Sequence, residues 1–352
     1  MTPLALPARC FDESAWPRWI ERTLLTSWHW LGESPTEPGT VTPLSLLPEL
    51  RELPLLAVRE HSGLLSLLSN VCTHRGNRLV QTPGPAKVLR CGYHGRRFHP
   101  AGRCLASPGF EGVAGFPFEA DHLPKADFIE LGPMLLARAL PPQDDGLGAE
   151  LHALFAGLPL HDAVHDPSGD RAFEIAAHWA LWVENYLEGL HIPFVHPALA
   201  RSLSLGAYRT RTCAWGSVQV GVAAPGEPAL SLAPTHPDQR PDEAIAGLYI
   251  WVFPGICLNI YPWGVSLNAV QPLGPRRTRI VYRRYVWDPG ALGRGAGGDL
   301  DTVEGEDDAV VEQVQRGIGS PFFLGARPSA QAEAGVVHFH AMLARALDEE
   351  LV

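Results

Sequence analysis

Two short pairs, Cys72-x-His74 in "NVCTHRG" and Cys91-x-x-His94 in "RCGYHG", are separated by sixteen residues and constrain this chain more than any other feature. Each pair follows an apolar run and precedes a glycine, so each reads as a loop at a strand end. One Cys-x-His alone is met by a buried thiol beside a surface histidine. Two pairs with matching flanks read instead as four ligands carried by two loops to one site. A tetrahedral Cys2His2 zinc site is one use for them, but a finger carries its histidines together at the end of a helix, and here they alternate with the cysteines. A [2Fe-2S] cluster, with two thiolates on one iron and two neutral imidazoles on the other, suits this order, and the imidazoles raise its potential.

The pairs lie within residues 40–140, where "PLLAVRE", "GLLSLLSN" and "AKVLRCGY" are short apolar runs divided by Gly and Pro, as expected of a small all-β domain built from hairpins. Before it, Trp16, Trp19, Ile20, Leu24 and Leu25 recur at helical spacing, which predicts an amphipathic helix between Trp16 and Trp30, with residues 1–39 forming a helix and linker that pack on the later domain. "PPQDDGLGAE" (141–150) marks a boundary, and residues 141–352 form a second domain. There "RAFEIAAH", "GSVQVGVAA", "GLYIWVF", "GICLNIY" and "RTRIVYRRYVW" predict an antiparallel meander, and "TVEGEDDAVVEQVQRGI" and residues 330–347 predict helices, giving an α+β fold. The Pro- and Gly-rich segments at 224–243 and 288–301 read as mobile loops.

A second constellation lies in "WVENYLEGLHIPFVHP" (182–197). Asn185, Glu188 and His191 recur every third residue and so share one face of a helix. Pro193 requires that helix to bend or end, which lets His196 fold back toward His191. Non-haem iron(II) oxygenases use two histidines and one carboxylate on one face of the metal and leave the other face open. "EGEDDAVVEQVQRG" offers Glu304, Glu306, Asp307, Asp308 and Glu312, most of them a solvated helix start where acids complement the macrodipole. His338 and His340, on opposite sides of Phe339, are read as residues that pack or face water, and Cys10, Cys104, Cys213 and Cys257 as core thiols.

"CTHRG" and "CGYHG", followed by "ExxH" and a later histidine, resemble the Rieske non-haem iron oxygenases, ring-hydroxylating α subunits, along nearly the whole chain. The resemblance implies an N-terminal all-β Rieske [2Fe-2S] domain and a catalytic α+β domain of helix-grip type. It implies Cys72 and Cys91 on the buried iron of the cluster, His74 and His94 on the outer iron, and His191, His196 and Asp307 on a mononuclear Fe(II), with Asp308 the alternative if the register slips by one. Gly76, Gly92 and Gly95 would let the cluster loops turn tightly. Asn77 and Tyr93 stand where respiratory Rieske proteins carry crosslinking cysteines, which points to the oxygenase type. Arg96 and Arg97 precede Phe98 where the family has an aromatic residue, which predicts a more basic cluster edge. By the same resemblance Glu188 bridges a Rieske histidine of a neighbouring subunit to an iron-binding histidine, Asn185 supports the site, and the assembly is a homotrimer.

The implied function is that of a terminal oxygenase, which takes electrons from a separate reductase or ferredoxin and uses dioxygen to hydroxylate or oxidatively demethylate a small organic substrate. Cis-dihydroxylation of an aromatic ring is the alternative, and an electron-transfer protein without oxygenase activity a second one. A net charge of -10 argues against nucleic acid or an anionic membrane as partner. The absence of a long apolar run and the six scattered cysteines suit a cytoplasmic protein. Glu at position 188, more familiar in members acting on quaternary amines such as choline monooxygenase, favours such a substrate, which Tyr249, Trp251, Tyr261 and Trp263 could surround if they do not simply fill the core.

Overall fold

The computed structural model describes residues 5–139 and 145–351 and divides into two compact units, His29–Asp145 and a second formed by Met1–Trp28 with Gly146–Val352. The expected boundary between residues 140 and 141 lies outside the described residues. At the other end, His29–Glu33 pairs antiparallel with Met134–Arg138, which draws the chain into the first unit ahead of residue 40. For the same reason the helix predicted up to Trp30 is cut short. It runs only through Trp16–Trp19 and one wider turn at Ile20–Leu24, because Trp30 is needed as a strand residue opposite Leu136.

The first unit is all β. Leu65–Ser69, Leu53–Arg59, Thr40–Leu46 and Gly84–Pro85 form one antiparallel sheet, and Leu89–Arg90, Arg97–Phe98 and Cys104–Ala106 form another. The apolar residues that alternate along these strands, Val41, Leu56, Val58, Leu68 and Phe98, close on one core that also holds Cys72, Cys91 and Cys104.

The second unit is built on a long antiparallel sheet in the order Val164–His165, Arg277–Val286, Gly264–Gly274, Ile256–Tyr261, Ile245–Val252, Gly216–Val222, Arg209–Cys213, with Arg171–Ile175 also pairing on Arg277–Val286. The meander is as expected, with three further strands among the described residues, one of them the two-residue Val164–His165. Gly264–Gly274 is interrupted by Gly and Pro and becomes a strand because both neighbours supply ladder partners, and the charged Arg209–Cys213 is an edge strand held by Gly216–Val222 alone. Among its helices, three matter for the site and its packing: the site helix Trp179–Tyr186, the acidic helix Leu300–Ile318 and the C-terminal helix Ala334–Leu347. On the C-terminal helix His338 bonds the Cys213 carbonyl, and His340, 1% exposed, receives the Leu6 N–H and thereby ties down the N-terminal segment. Residues 224–243 carry no regular structure yet are pinned by buried His236 on the Leu154 carbonyl and by buried Asp238 on Arg211.

His178 caps the site helix by accepting the Ala180 N–H, and it is packed among Phe11, Trp16 and Trp19. Burial alone pushes its pKa down from 6.5 to about 3. The folded protein holds this imidazole neutral while the unfolded chain protonates it below its free value. Its contribution is therefore complete above pH 6.5 and is lost as pH falls toward 3. We expect the stability difference between wild type and His178→Asn, measured by urea unfolding, to shrink by about 1.4 kcal/mol per pH unit through that window. A difference independent of pH would contradict the assignment.

Candidate metal centres

In the first unit the two ligand loops are the same turn made twice. The Gly76 N–H returns to the Cys72 carbonyl and the Cys72 N–H bonds the Asn77 carbonyl. In the second loop Gly95 returns to Cys91, and Cys91 bonds Arg96. Both loops reverse on a left-handed residue, Gly76 and Gly95, each at φ 73°, which only glycine adopts cheaply. Gly92, expected to share that role, does not have a positive φ, because each turn needs only one such residue.

The turns bury Cys72 and Cys91 to 2% exposure and set the His74 and His94 rings 4.8 Å apart. Burial raises the Cys72 thiol, whereas at Cys91 it is outweighed by the backbone N–H groups of Tyr93 and His94 and by the Asn77 amide, so that thiol is held below its ordinary value. His74 is held down by desolvation and then by the charges of His94, Arg96 and Arg75, and a neutral imidazole is what ligation requires. The Nδ1 atoms of His74 and His94 are both buried without a hydrogen-bond partner. Two buried imidazole nitrogens without partners, carried on the same two turns as two buried thiols, fit a [2Fe-2S] group held by all four residues.

Arg96 is not the exposed charge that its place beside His94 suggests. Its side chain is 2% exposed and bonds Asp121 at 2.8 Å, Thr73 at 3.1 Å and Ser107, with Phe110 and Phe116 against its guanidinium. It is a buried strut from the second loop to the first, and Phe98 behind it fills the core.

In the second unit the site helix ends at Tyr186, so Glu188 does not share a helix face with Asn185 and His191. The Glu188 carboxylate instead receives the backbone N–H groups of Leu190 and His191, a turn that stops the helix. Its other oxygen lies 2.6 Å from His191 Nδ1, leaving Nε2 as the free nitrogen. Pro193 does not break a helix either. It opens the short helix Ile192–Val195, where its missing N–H costs nothing, and that single turn carries His196 back beside His191, with the rings 5.1 Å apart.

Both histidines face the acidic helix. Asp307 Oδ1 is 2.9 Å from His196 Nε2 and 3.7 Å from His191 Nε2, and it accepts from Asn185 at 2.6 Å. Among the described residues, His191, His196 and Asp307 are the cluster whose ligand atoms all lie within 4.8 Å of one another. Asp308 turns to the Trp182 indole N–H at 3.2 Å, and burial, outweighing that bond, raises its carboxyl to about 6. The donor set of two nitrogens and one carboxylate fits iron(II) with open positions.

Three participants, Glu306, Tyr186 and Tyr208, were not singled out in the sequence. Glu306 lies 2.7 Å from His196 Nδ1 and does for that ring what Glu188 does for His191. It was visible only as one acid among five. Tyr186, Tyr208, Tyr249 and Tyr261 line the cavity above the cluster, and Tyr208 and Tyr186 lie outside the strand runs that drew attention to aromatic residues. Of the four rings singled out, Tyr249 and Tyr261 face the cavity, Trp263 stacks on Tyr261, and Trp251 packs against Phe339 in the core.

Residues 39–117 match the Rieske [2Fe-2S] domain, and residues 162–349, over half of the chain, match the ring hydroxylating alpha subunit catalytic domain. Choline monooxygenase from Arabidopsis thaliana is 27% identical over 314 residues, covering 84% of this chain and 71% of that protein. The carnitine monooxygenase oxygenase subunit of Escherichia coli K12 is 27% identical over 365 residues, covering 97% and 93%. A quaternary ammonium Rieske monooxygenase solved with L-carnitine superimposes with a TM-score of 0.68 at 20% identity, covering 97% and 95%, and so shares the fold. No helix among the described residues is long and apolar enough to cross a membrane.

Proposed function

The chain belongs to the ring-hydroxylating oxygenase α subunits that carry a Rieske domain, and from that premise we propose that it hydroxylates or oxidatively demethylates a small quaternary amine, with electrons from a separate donor protein. When bound, the cluster supplies single electrons and the mononuclear iron activates dioxygen, so that one oxygen atom enters the substrate and the other leaves as water.

The observation that carries the reading is the convergence of His191, His196 and Asp307 beneath a cavity lined by Trp182 and four tyrosines. Glu188 and Glu306 fix both imidazoles with Nε2 inward, Asn185 orients the Asp307 carboxylate, and the rings exclude water from the reacting carbon. Aromatic faces attract an alkylammonium ion that cannot donate a hydrogen bond. The similarity to proteins named for choline and carnitine oxidation supports the same substrate class here.

Assembly as a homotrimer in a reducing compartment belongs to the same proposal. Leu190 and Phe194 beside Glu188, and Tyr93 beside His94, are exposed apolar residues at the two edges where an adjacent copy would have to meet the chain. The expected solution mass is three chains, measured by light scattering, and a monomer would contradict the arrangement.

The direct test supplies reductant, donor protein and labelled dioxygen with a panel of quaternary amines and aromatic hydrocarbons. One labelled oxygen atom is expected, in the hydroxylated amine or, where a methyl group is removed, in the formaldehyde released with it. Two labelled oxygen atoms in a ring diol, with the amines untouched, would place the chain with the dioxygenases instead.

A further inference from the structure

One buried acid in the second unit has no part in the arrangement described so far. Glu304 is 7% exposed and lines the cavity above His191, His196 and Asp307. It sits on the inward stripe of the acidic helix with Leu300, Val311 and Gln315, a position where the helical period calls for an apolar residue. The groups that act most strongly on its carboxyl are burial itself, Tyr282, the carboxylates of Asp307 and Asp308, and Asn268, and none of these is a cation. Burial therefore pushes its pKa well above the carboxylate range.

The polar side chains on the cavity floor are directed toward it. The Tyr186 hydroxyl donates to Asn259 at 2.8 Å, the Asn259 amide to Asn268 at 3.2 Å, and the Asn268 amide to Glu304 Oε1 at 3.4 Å. Each donor polarises the next, so the chain delivers its positive end to the Glu304 carboxyl and favours negative charge there. Asn259 and Asn268 are themselves 4% and 2% exposed, so this row of amides is built into the core between sheet and helix. Burial disfavours charge on Glu304, the row of donors favours that charge, and no cation among the described residues is paired with the carboxyl, so a positive ligand would complete it and draw it into its ionised form.

Position on the helix adds a distance. Glu304 stands three residues before Asp307 on one helix, roughly 4.5 Å along the axis. A nitrogen seated against Glu304 would hold the carbons bonded to it within a few ångströms of the His191, His196 and Asp307 atoms.

We propose that Glu304 is the specificity-determining residue of this cavity, its carboxylate pairing with the positively charged nitrogen of the substrate while the surrounding rings cover the alkyl groups. This assignment rests on the amine reading above and adds the residue that selects charge over shape. The aromatic rings by themselves give a trimethylammonium group a cation–π advantage over a neutral tert-butyl group, and Glu304 widens that preference.

The test compares binding of choline and of its uncharged carbon isostere 3,3-dimethylbutan-1-ol to the iron-loaded protein by calorimetry, in wild type, Glu304→Gln and Glu304→Asp. Wild type is expected to prefer choline. Glu304→Gln should weaken choline by at least about tenfold while leaving the isostere within about twofold, because truncating one side of a buried charge pair costs affinity for the charge only. Unchanged binding of the isostere also shows that the variant is folded. Should Glu304→Gln fail to fold, Glu304→Asp must show a smaller loss confined to choline. A wild-type preference for choline that survives undiminished in Glu304→Gln, or in Glu304→Asp where only that variant folds, overturns the role of Glu304 and leaves the amine reading standing. A wild type without that preference overturns both.

Discussion

Asp307→Ala is expected to lose the mononuclear iron and to lower product formation on the order of a thousandfold or more, with the visible absorption of the Rieske cluster unchanged. Among the described residues the Asp307 carboxylate is the group that faces both His191 and His196, at 3.7 and 2.9 Å, and without it two imidazoles are left to hold a dication. Asn185 also loses its acceptor at 2.6 Å. Asp308→Ala is the control. Its carboxyl points to the Trp182 indole, so that variant should keep its iron and most of its activity. Iron retained in Asp307→Ala but lost in Asp308→Ala would show that the ligand is one residue further on.

Glu188→Ala is expected to keep the cluster and most of the mononuclear iron while steady turnover falls by about 10- to 100-fold. Its carboxylate fixes the tautomer of His191 from 2.6 Å and also bonds the turn that ends the site helix, yet it donates nothing to the three converging atoms. If its role is to connect the Rieske domain of an adjacent copy to His191, the pre-reduced cluster in the variant will reoxidise slowly when substrate and dioxygen are mixed in. Normal reoxidation with slow turnover would confine Glu188 to orienting the ring. Glu188→Gln refines the comparison, since the amide oxygen can still accept the His191 N–H while the charge is gone.

The two constellations were legible because their chemistry needs unusual residues at short spacing. Cys72, His74, Cys91 and His94 each sit within a six-residue loop, and the positive φ of Gly76 and Gly95 is what such a turn demands of a sequence. The meander was legible from runs such as "GLYIWVF", whose residues are buried on both faces between neighbouring strands. What failed was local periodicity overruled by tertiary partners. The repeat of Asn185, Glu188 and His191 suggests a continuous helix, but the Glu188 carboxylate bonds the N–H groups that would have extended it.

Arg96 failed for a related reason. An arginine beside a cluster histidine reads as surface charge until Asp121, twenty-five residues away in the chain, is brought against it. Glu304 and Glu306 were two acids in an acidic run, and nothing local distinguishes the one that meets His196 from the one buried beneath the cavity. The helical stripe through Leu300, Glu304 and Val311 was the available signal, since an acid on the apolar side of an amphipathic helix is costly unless something pays for it.

The central claim is that one chain holds a Rieske cluster and, separately, a mononuclear iron under an aromatic cavity. Iron and acid-labile sulfide measured per chain on protein purified without oxygen test it most directly. The expected result is about three irons and about two sulfides, with one iron removable by a mild chelator while the Rieske spectrum persists. Two irons that leave only together with the sulfide would contradict it, because His191, His196 and Asp307 would then hold nothing.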